Sequence, residues 1–181
     1  MHIDQVKTAK KIGRFVLRHD GPNKIKVEYL PNLNSHILND ESARVYIFVQ
    51  DGQIKKIGGS SQKGGIRGTL SFYENAMQGS PGRPRFIIHL LIAQALMEES
   101  QVDIYVIKSP RNMGEVSGLF GTKKMEIASY KEMEELCLSD YYESERKYPD
   151  WNFQEKGEPY PIELEEIYQQ YHEKRIERNK K

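Results

Sequence analysis

Apolar and polar positions alternate most clearly at two places in the chain. Between residues 24 and 30, Ile25, Val27 and Tyr29 fall on one side, the two-residue period of a half-buried strand. From 44 to 49 the run Arg-Val-Tyr-Ile-Phe-Val is rich in β-branched and aromatic residues and predicts a strong strand. Asp51-Gly52 is a hairpin turn signal, with 53–58 as the returning strand. A further core strand is expected at 102–107, stopped by Ser109-Pro110. Helical spacing predicts helices near 66–76, 85–99, 126–145 and 162–174, and a short basic helix over 5–18 with Ile12, Val16 and Leu17 on one side. Residues 31–39 and 79–84 read as loops, 114–121 as a turn-rich connection, and Pro149 with Trp151-Asn152 as an aromatic loop. The core order is hairpin, helix, helix, strand, helix. It predicts an α+β fold, a small, mostly antiparallel three-stranded sheet flanked by helices. The expected organisation is a basic N-terminal extension over 1–40, a core over 41–156 and a C-terminal helical extension over 157–181.

Composition narrows the class. The 181 residues are 38% hydrophobic and 29% charged, enough apolar residue for one compact domain with appendages. A single cysteine, Cys137, excludes an internal disulfide framework and a cysteine-based zinc cluster. The longest apolar stretch, 86–97, is interrupted by His89 and Gln94 and is too short to cross a bilayer, so no membrane partner is expected. A reducing, cytoplasmic setting is the expectation. Net charge is only +1, but it is unevenly spread: residues 1–40 carry seven Lys or Arg against four Asp or Glu. Such clustering bears on a nucleic-acid partner more than the total does.

The hairpin carries the first candidate chemistry. Tyr46 lies mid-strand, Lys56 lies on the returning strand before Ile57-Gly58-Gly59, and Arg67 opens the next helix after a glycine-rich bend. A phenol with two cations suits a phosphate diester: the cations neutralise non-bridging oxygens and developing charge. The phenol orients water, or takes its proton if its pKa falls well below the usual value of about 10. On the long helix, Tyr130, Met133, Cys137 and Tyr141 form an apolar face, and Glu132, Glu135 and Glu143 fall opposite. Glu134 projects instead near the middle of the apolar face, where an unpaired carboxylate is costly. Two readings stand: a salt bridge to a core arginine, or a ligand for one hard divalent cation. His89, inside an apolar helix, reads as a satisfied core histidine, and Cys137 as a packing residue. The loop 79–85 holds Arg83 and Arg85, suited to a nucleic-acid backbone or to solvent.

Arg44-Val45-Tyr46, then Lys56-Ile57-Gly58-Gly59-Ser60, then Arg67, in this order and spacing, resembles the GIY-YIG nuclease superfamily. Arg44 and Val45 stand where that family has Gly and Ile, and Lys56 where it has its second tyrosine. Ser71 lacks the usual histidine or tyrosine, with Tyr73 close by, and Pro149-Asp150-Trp151-Asn152 looks like the closing Pro-x-x-Asn. Lysine in place of the second tyrosine is similar to the type II restriction endonucleases of the superfamily.

The resemblance implies Tyr46 as general base or water-orienting phenol, Lys56 as its support or a phosphate contact, and Arg67 as the stabiliser of the pentacovalent phosphate. Glu134 would hold a single Mg2+, Tyr73 would add a contact, and Asn152 would be structural unless Glu143 replaced Glu134 as ligand; Glu134 is preferred because Glu143 faces solvent. The implied protein is a bacterial or phage-related restriction enzyme cutting double-stranded DNA at a short symmetric site as a homodimer. Lys10, Arg14, Lys63, Arg83, Arg85 and Arg111 are the candidate DNA contacts. The rival expectations are a repair or mobile-element nuclease of the same fold, and a non-catalytic nucleic-acid binding module.

Overall fold

A computed structural model describes residues 1–108, 112–127 and 129–179. β3 (Arg44–Gln50) and β4 (Gln53–Ser60) form the expected hairpin, closed by Asp51 and Gly52, whose φ angles of 48° and 81° are those of a tight primed turn. β5 (Val102–Lys108) pairs with β3 on its other edge. The sheet does not end there. β1 (Lys10–Leu17) pairs with β5, and β2 (Ile25–Tyr29) pairs with β1. The sheet therefore has five antiparallel strands in the order β2-β1-β5-β3-β4, not three.

The correction at β1 has a local cause. A basic helix was expected over 5–18, yet Lys10–Leu17 is a strand. Its register against β5 slips between Lys11 and Gly13, which leaves Ile12 as an extra residue. That bulge puts Ile12 and Phe15, three apart, into the same core cluster. The helical face expected from Ile12, Val16 and Leu17 is not the buried one: Val16 and Leu17 are only part-buried. Residues 10–29, assigned from sequence to an extension, thus supply two strands of the central sheet.

Helices cover both faces. α2 (Gly65–Glu74) and α3 (Arg83–Met97) pack on the face bearing Phe15, Tyr46, Phe48 and Ile104, while Leu138 and Tyr141 of α4 (Tyr130–Glu145) pack on the face bearing Val45, Ile47 and Ile57. β3 is buried on both sides, and this explains its unbroken apolar run. Within the 31–39 loop lies a short α1 (Ser35–Asn39). The 79–84 loop ends early, because Gly82 caps α3 and Pro84 sits in its first turn, where a missing N–H costs nothing. After the aromatic loop comes α5 (Phe153–Lys156), and α6 (Ile162–Asn179) ends the chain as expected, a few residues longer.

The expected connection at 114–121 is instead a hairpin of β6 (Asn112–Gly118) and β7 (Gly121–Ile127), a separate two-stranded sheet. It also takes the residues assigned to the start of the long helix, which begins at Tyr130 with Ser129 accepting from the Lys131 N–H. Met113, Val116 and Met125 are exposed, so no face is selected for burial and the two-residue period is absent.

Two polar groups pin the core. His89 is neutral and satisfied: Nδ1–H donates to the Tyr73 carbonyl (2.7 Å) and Nε2 accepts from the Lys24 N–H (3.1 Å), while burial keeps its pKa low. Arg44, wholly buried, donates to the carbonyls of Ser42 and Gln62 and so fixes the loop before α2. Nearby, Asp40 accepts from the Ser42 N–H (2.9 Å) and hydroxyl (2.8 Å) and pairs with Lys108 (3.0 Å). The Ser42 N–H leads in holding its pKa at about 2, against a desolvation cost. A depressed carboxylate pKa gives stability that is present above about pH 4 and lost as pH falls toward 2. Because the Asp40 side chain is 40% exposed, about 1 kcal/mol is expected. Urea unfolding of wild type and Asp40→Asn should differ by this amount at pH 6 and converge near pH 2. A gap unchanged across that range contradicts the assignment.

Candidate active site

The candidate active site is organised around the edge strand β4. In the hairpin register Tyr46 lies opposite Gly58. A Cβ at Gly58 would come 2.4 Å from both the Tyr46 hydroxyl and Cζ, so the phenol occupies space that only glycine leaves open. The Tyr46 hydroxyl lies 2.7 Å from the Tyr73 hydroxyl, which α2 delivers through the core. Phe48 packs against both rings at centroid distances of 5.2 and 5.1 Å.

Gly59 receives a second side chain. A Cβ there would lie 2.7 Å from Glu134 Oε2 on α4 and 2.7 Å from the Tyr130 ring. The Gly59 N–H donates to the Glu134 carboxylate. Successive residues of a strand point to opposite faces, so the phenol and the carboxylate reach adjacent backbone units from the two sides of one edge. Of the two readings of Glu134, a salt bridge to a core arginine is not found among the described residues; the opposite charge acting on it there is that of Lys56.

Lys56 lies opposite Phe48, two residues along β4 from Gly58 and on the same face as Tyr46. Burial lowers its pKa, and Glu155 and Glu134 oppose that shift. Burial also raises the Glu134 pKa, with the Gly59 N–H and Lys56 acting in the other direction. For the phenols, the expected route to a depressed pKa is absent. Burial first, then Tyr73 and Glu134, push Tyr46 well above its ordinary value, and burial pushes Tyr73 to about 12. A phenol kept neutral in this way can orient a water by hydrogen bonding and is a poor acceptor of its proton.

Arg67 is not brought to this hydroxyl. It is exposed, and its guanidinium stands over the Tyr29 ring, 5.4 Å from the centroid. The cation whose charge acts on both Tyr46 and Tyr73 is Arg85, in the first turn of α3. Glu143 is exposed on α4. Asn152 is buried and structural: Nδ2 donates to the Ile57 carbonyl (2.8 Å) and Oδ1 accepts from the Ile57 N–H (2.9 Å). With the Trp151 N–H donating to the Lys55 carbonyl, it caps the free edge of β4 beside Lys56. It also starts α5, and so places Glu155 where its charge acts on Lys56, Glu134 and Tyr73.

The remaining predicted contacts are dispersed. Lys63 is exposed in the loop before α2, and Lys10 is exposed on β1. Arg14 pairs with Glu28 (3.1 Å) on the face of β1 away from Tyr46, and Arg83 pairs with Glu165 (3.3 Å). Arg111 lies outside the described residues. Glu155 is the site group that sequence reasoning missed; its one signal is a position three residues after Asn152.

Among the described residues no three His, Cys, Asp or Glu side chains converge as a metal cage. One half-buried carboxylate beside an open edge fits Mg2+, which keeps most of its waters and takes few protein ligands together with phosphate oxygens. It does not fit a structural zinc centre.

No protein-family profile matches the chain, and no curated protein matches it. Solved structures do. A mutant of bacteriophage T4 EndoII superposes with a TM-score of 0.52 at 18% identity, over 84% of this chain and 99% of the other. The restriction endonuclease HPY188I in complex with product DNA gives a TM-score of 0.45 at 15% identity, over 81% of each chain. The protein thus shares the fold of a phage EndoII along most of its length.

Proposed function

We propose that this protein is a metal-dependent DNA endonuclease of the GIY-YIG type, hydrolysing a phosphodiester at a short specific double-stranded site in the manner of a type II restriction enzyme. The observation that carries the reading is the arrival of the Tyr46 hydroxyl and the Glu134 carboxylate at the consecutive glycines 58 and 59. The absence of side chains at 58 and 59 lets both groups come directly against the strand backbone. The fold shared with phage EndoII supports the same reading.

In this reading Tyr46, held neutral by burial and fixed by Tyr73, orients the attacking water. Lys56 lies along the same strand face and donates to a non-bridging oxygen. Arg67 supplies the second positive charge after leaving the Tyr29 ring. Glu134 would hold the magnesium ion, which supplies charge neutralisation at the leaving oxygen. Glu155 and Glu134 bracket Lys56 and oppose the loss of its proton to burial. A homodimer would place two such edges on a symmetric site, with the exposed Lys10 and Lys63 available to the backbone. A bacterial or phage-infected cytoplasm is the corresponding setting.

Incubation of the purified protein with a long DNA of known sequence, with and without magnesium, tests this. Discrete fragments with common end sequences are expected, only when magnesium is present. Cutting confined to flaps or junctions would replace the restriction role by a structure-specific one. Salt-sensitive binding with no cutting would overturn the catalytic reading.

A further inference from the structure

We propose that Arg85 is a catalytic residue of this site, contacting the scissile phosphate, and that the Phe72 ring is the platform that positions it. The proposal rests on the nuclease reading and deepens it. Residues 72 and 73 are consecutive on α2 and serve opposite sides: Tyr73 turns inward to the Tyr46 hydroxyl at 2.7 Å, and Phe72 turns out and is 40% exposed. The Arg85 guanidinium carbon sits 4.1 Å from the Phe72 ring centroid, the closest of the arginine–ring stacks. α2 thus carries, on consecutive residues, the ring that holds the guanidinium and the phenol that meets Tyr46.

That guanidinium is uncommitted. Arg14, Arg18 and Arg83 are paired with Glu28, Asp20 and Glu165. Among the described residues no carboxylate pairs with Arg85. The groove beside it, of about 390 Å³, is bounded by Ser71, Phe72, Asn75, Ser80, Gly82 and Arg85 and contains no acidic side chain. An arginine stacked on a ring loses little freedom and presents its fork in one plane, which suits two oxygens of one phosphate. Its charge also acts on the Tyr46 and Tyr73 hydroxyls, so an anion held there would lie within electrostatic reach of the water that Tyr46 orients. Arg67 stands over a different ring, Tyr29, which it leaves to reach the phosphate, whereas Arg85 stays on its own.

The test separates turnover from binding. With wild type cutting its site in magnesium, Arg85→Ala should lower kcat at saturating DNA by roughly 10²- to 10³-fold, while Kd measured without metal changes less than about tenfold. Arg85→Lys should recover little, because an ammonium neither stacks nor forks. Phe72→Leu should lower kcat by about tenfold, and Phe72→Trp, which restores a ring, should recover it. Thermal melting of all four should match wild type, since both side chains are exposed. Arg85→Ala with wild-type kcat, or a loss seen in Kd alone, overturns the assignment and leaves the nuclease reading standing. Failure of the wild type to cut any DNA overturns the nuclease reading and this assignment with it.

Discussion

Glu134→Gln is expected to lower DNA cleavage in magnesium by roughly 10³-fold or more, to the level of wild type in a metal chelator. The substitution preserves shape and the acceptor for the Gly59 N–H, and removes only the charge. Its effect on stability has the opposite sign. Burial raises the Glu134 pKa, so the folded protein disfavours the carboxylate that neutral pH imposes. The sign follows directly: an acid with a raised folded pKa destabilises at any pH where it is ionised, and a neutral isostere relieves that cost. Glu134→Gln should therefore melt at or slightly above the wild-type temperature near pH 7, and bind DNA in the absence of metal as wild type does. A cleavage time course and thermal melting near pH 7 measure the two halves. A variant that cuts at the wild-type rate removes Glu134 from the site.

Gly58→Ala should be nearly as damaging for a different reason. A Cβ 2.4 Å from the Tyr46 hydroxyl and Cζ cannot be accommodated without moving the ring, and the ring is wedged against Phe48 and Tyr73. Over-packing of this kind costs about 1–3 kcal/mol. A displacement of the hydroxyl by about 1 Å is enough for a loss of roughly 10²-fold in turnover. The decisive measurement is a double-mutant cycle. If Gly58 acts through the phenol, Gly58→Ala combined with Tyr46→Phe should cleave no more slowly than Tyr46→Phe alone. Fully multiplicative losses would mean that Gly58 serves something other than seating Tyr46.

Much of this protein is local in origin. β3, β4 and their turn are readable because a β-branched run, Asp51-Gly52 and the returning strand each carry a short-range signal, and α3 and α6 because their lengths of regular spacing are long. β1 was not readable, since the bulge at Ile12 replaces an alternating pattern by a helical one, and β6 and β7 were not, since neither face of that hairpin is selected for burial. The site divides in the same way. Glu134 stands out in sequence as an acid on an apolar helical face, and Tyr46 as a phenol opposite a glycine-rich strand. Glu155 carries no such mark, and Arg85 is legible only as one cation among several DNA-contact candidates, because what each faces is decided by a separate segment packed beside it.

The residues alone determined which groups are the candidates for chemistry: a phenol, a lysine, an out-of-place glutamate and two adjacent glycines, all set by side-chain type and short spacing. Packing alone decided how those groups behave. Burial raises the phenols and lowers the lysine, Asn152 closes the strand edge, and two aromatic rings hold the arginines. Solvation and cross-strand register depend on contacts between segments far apart in the chain, and no short-range pattern encodes them.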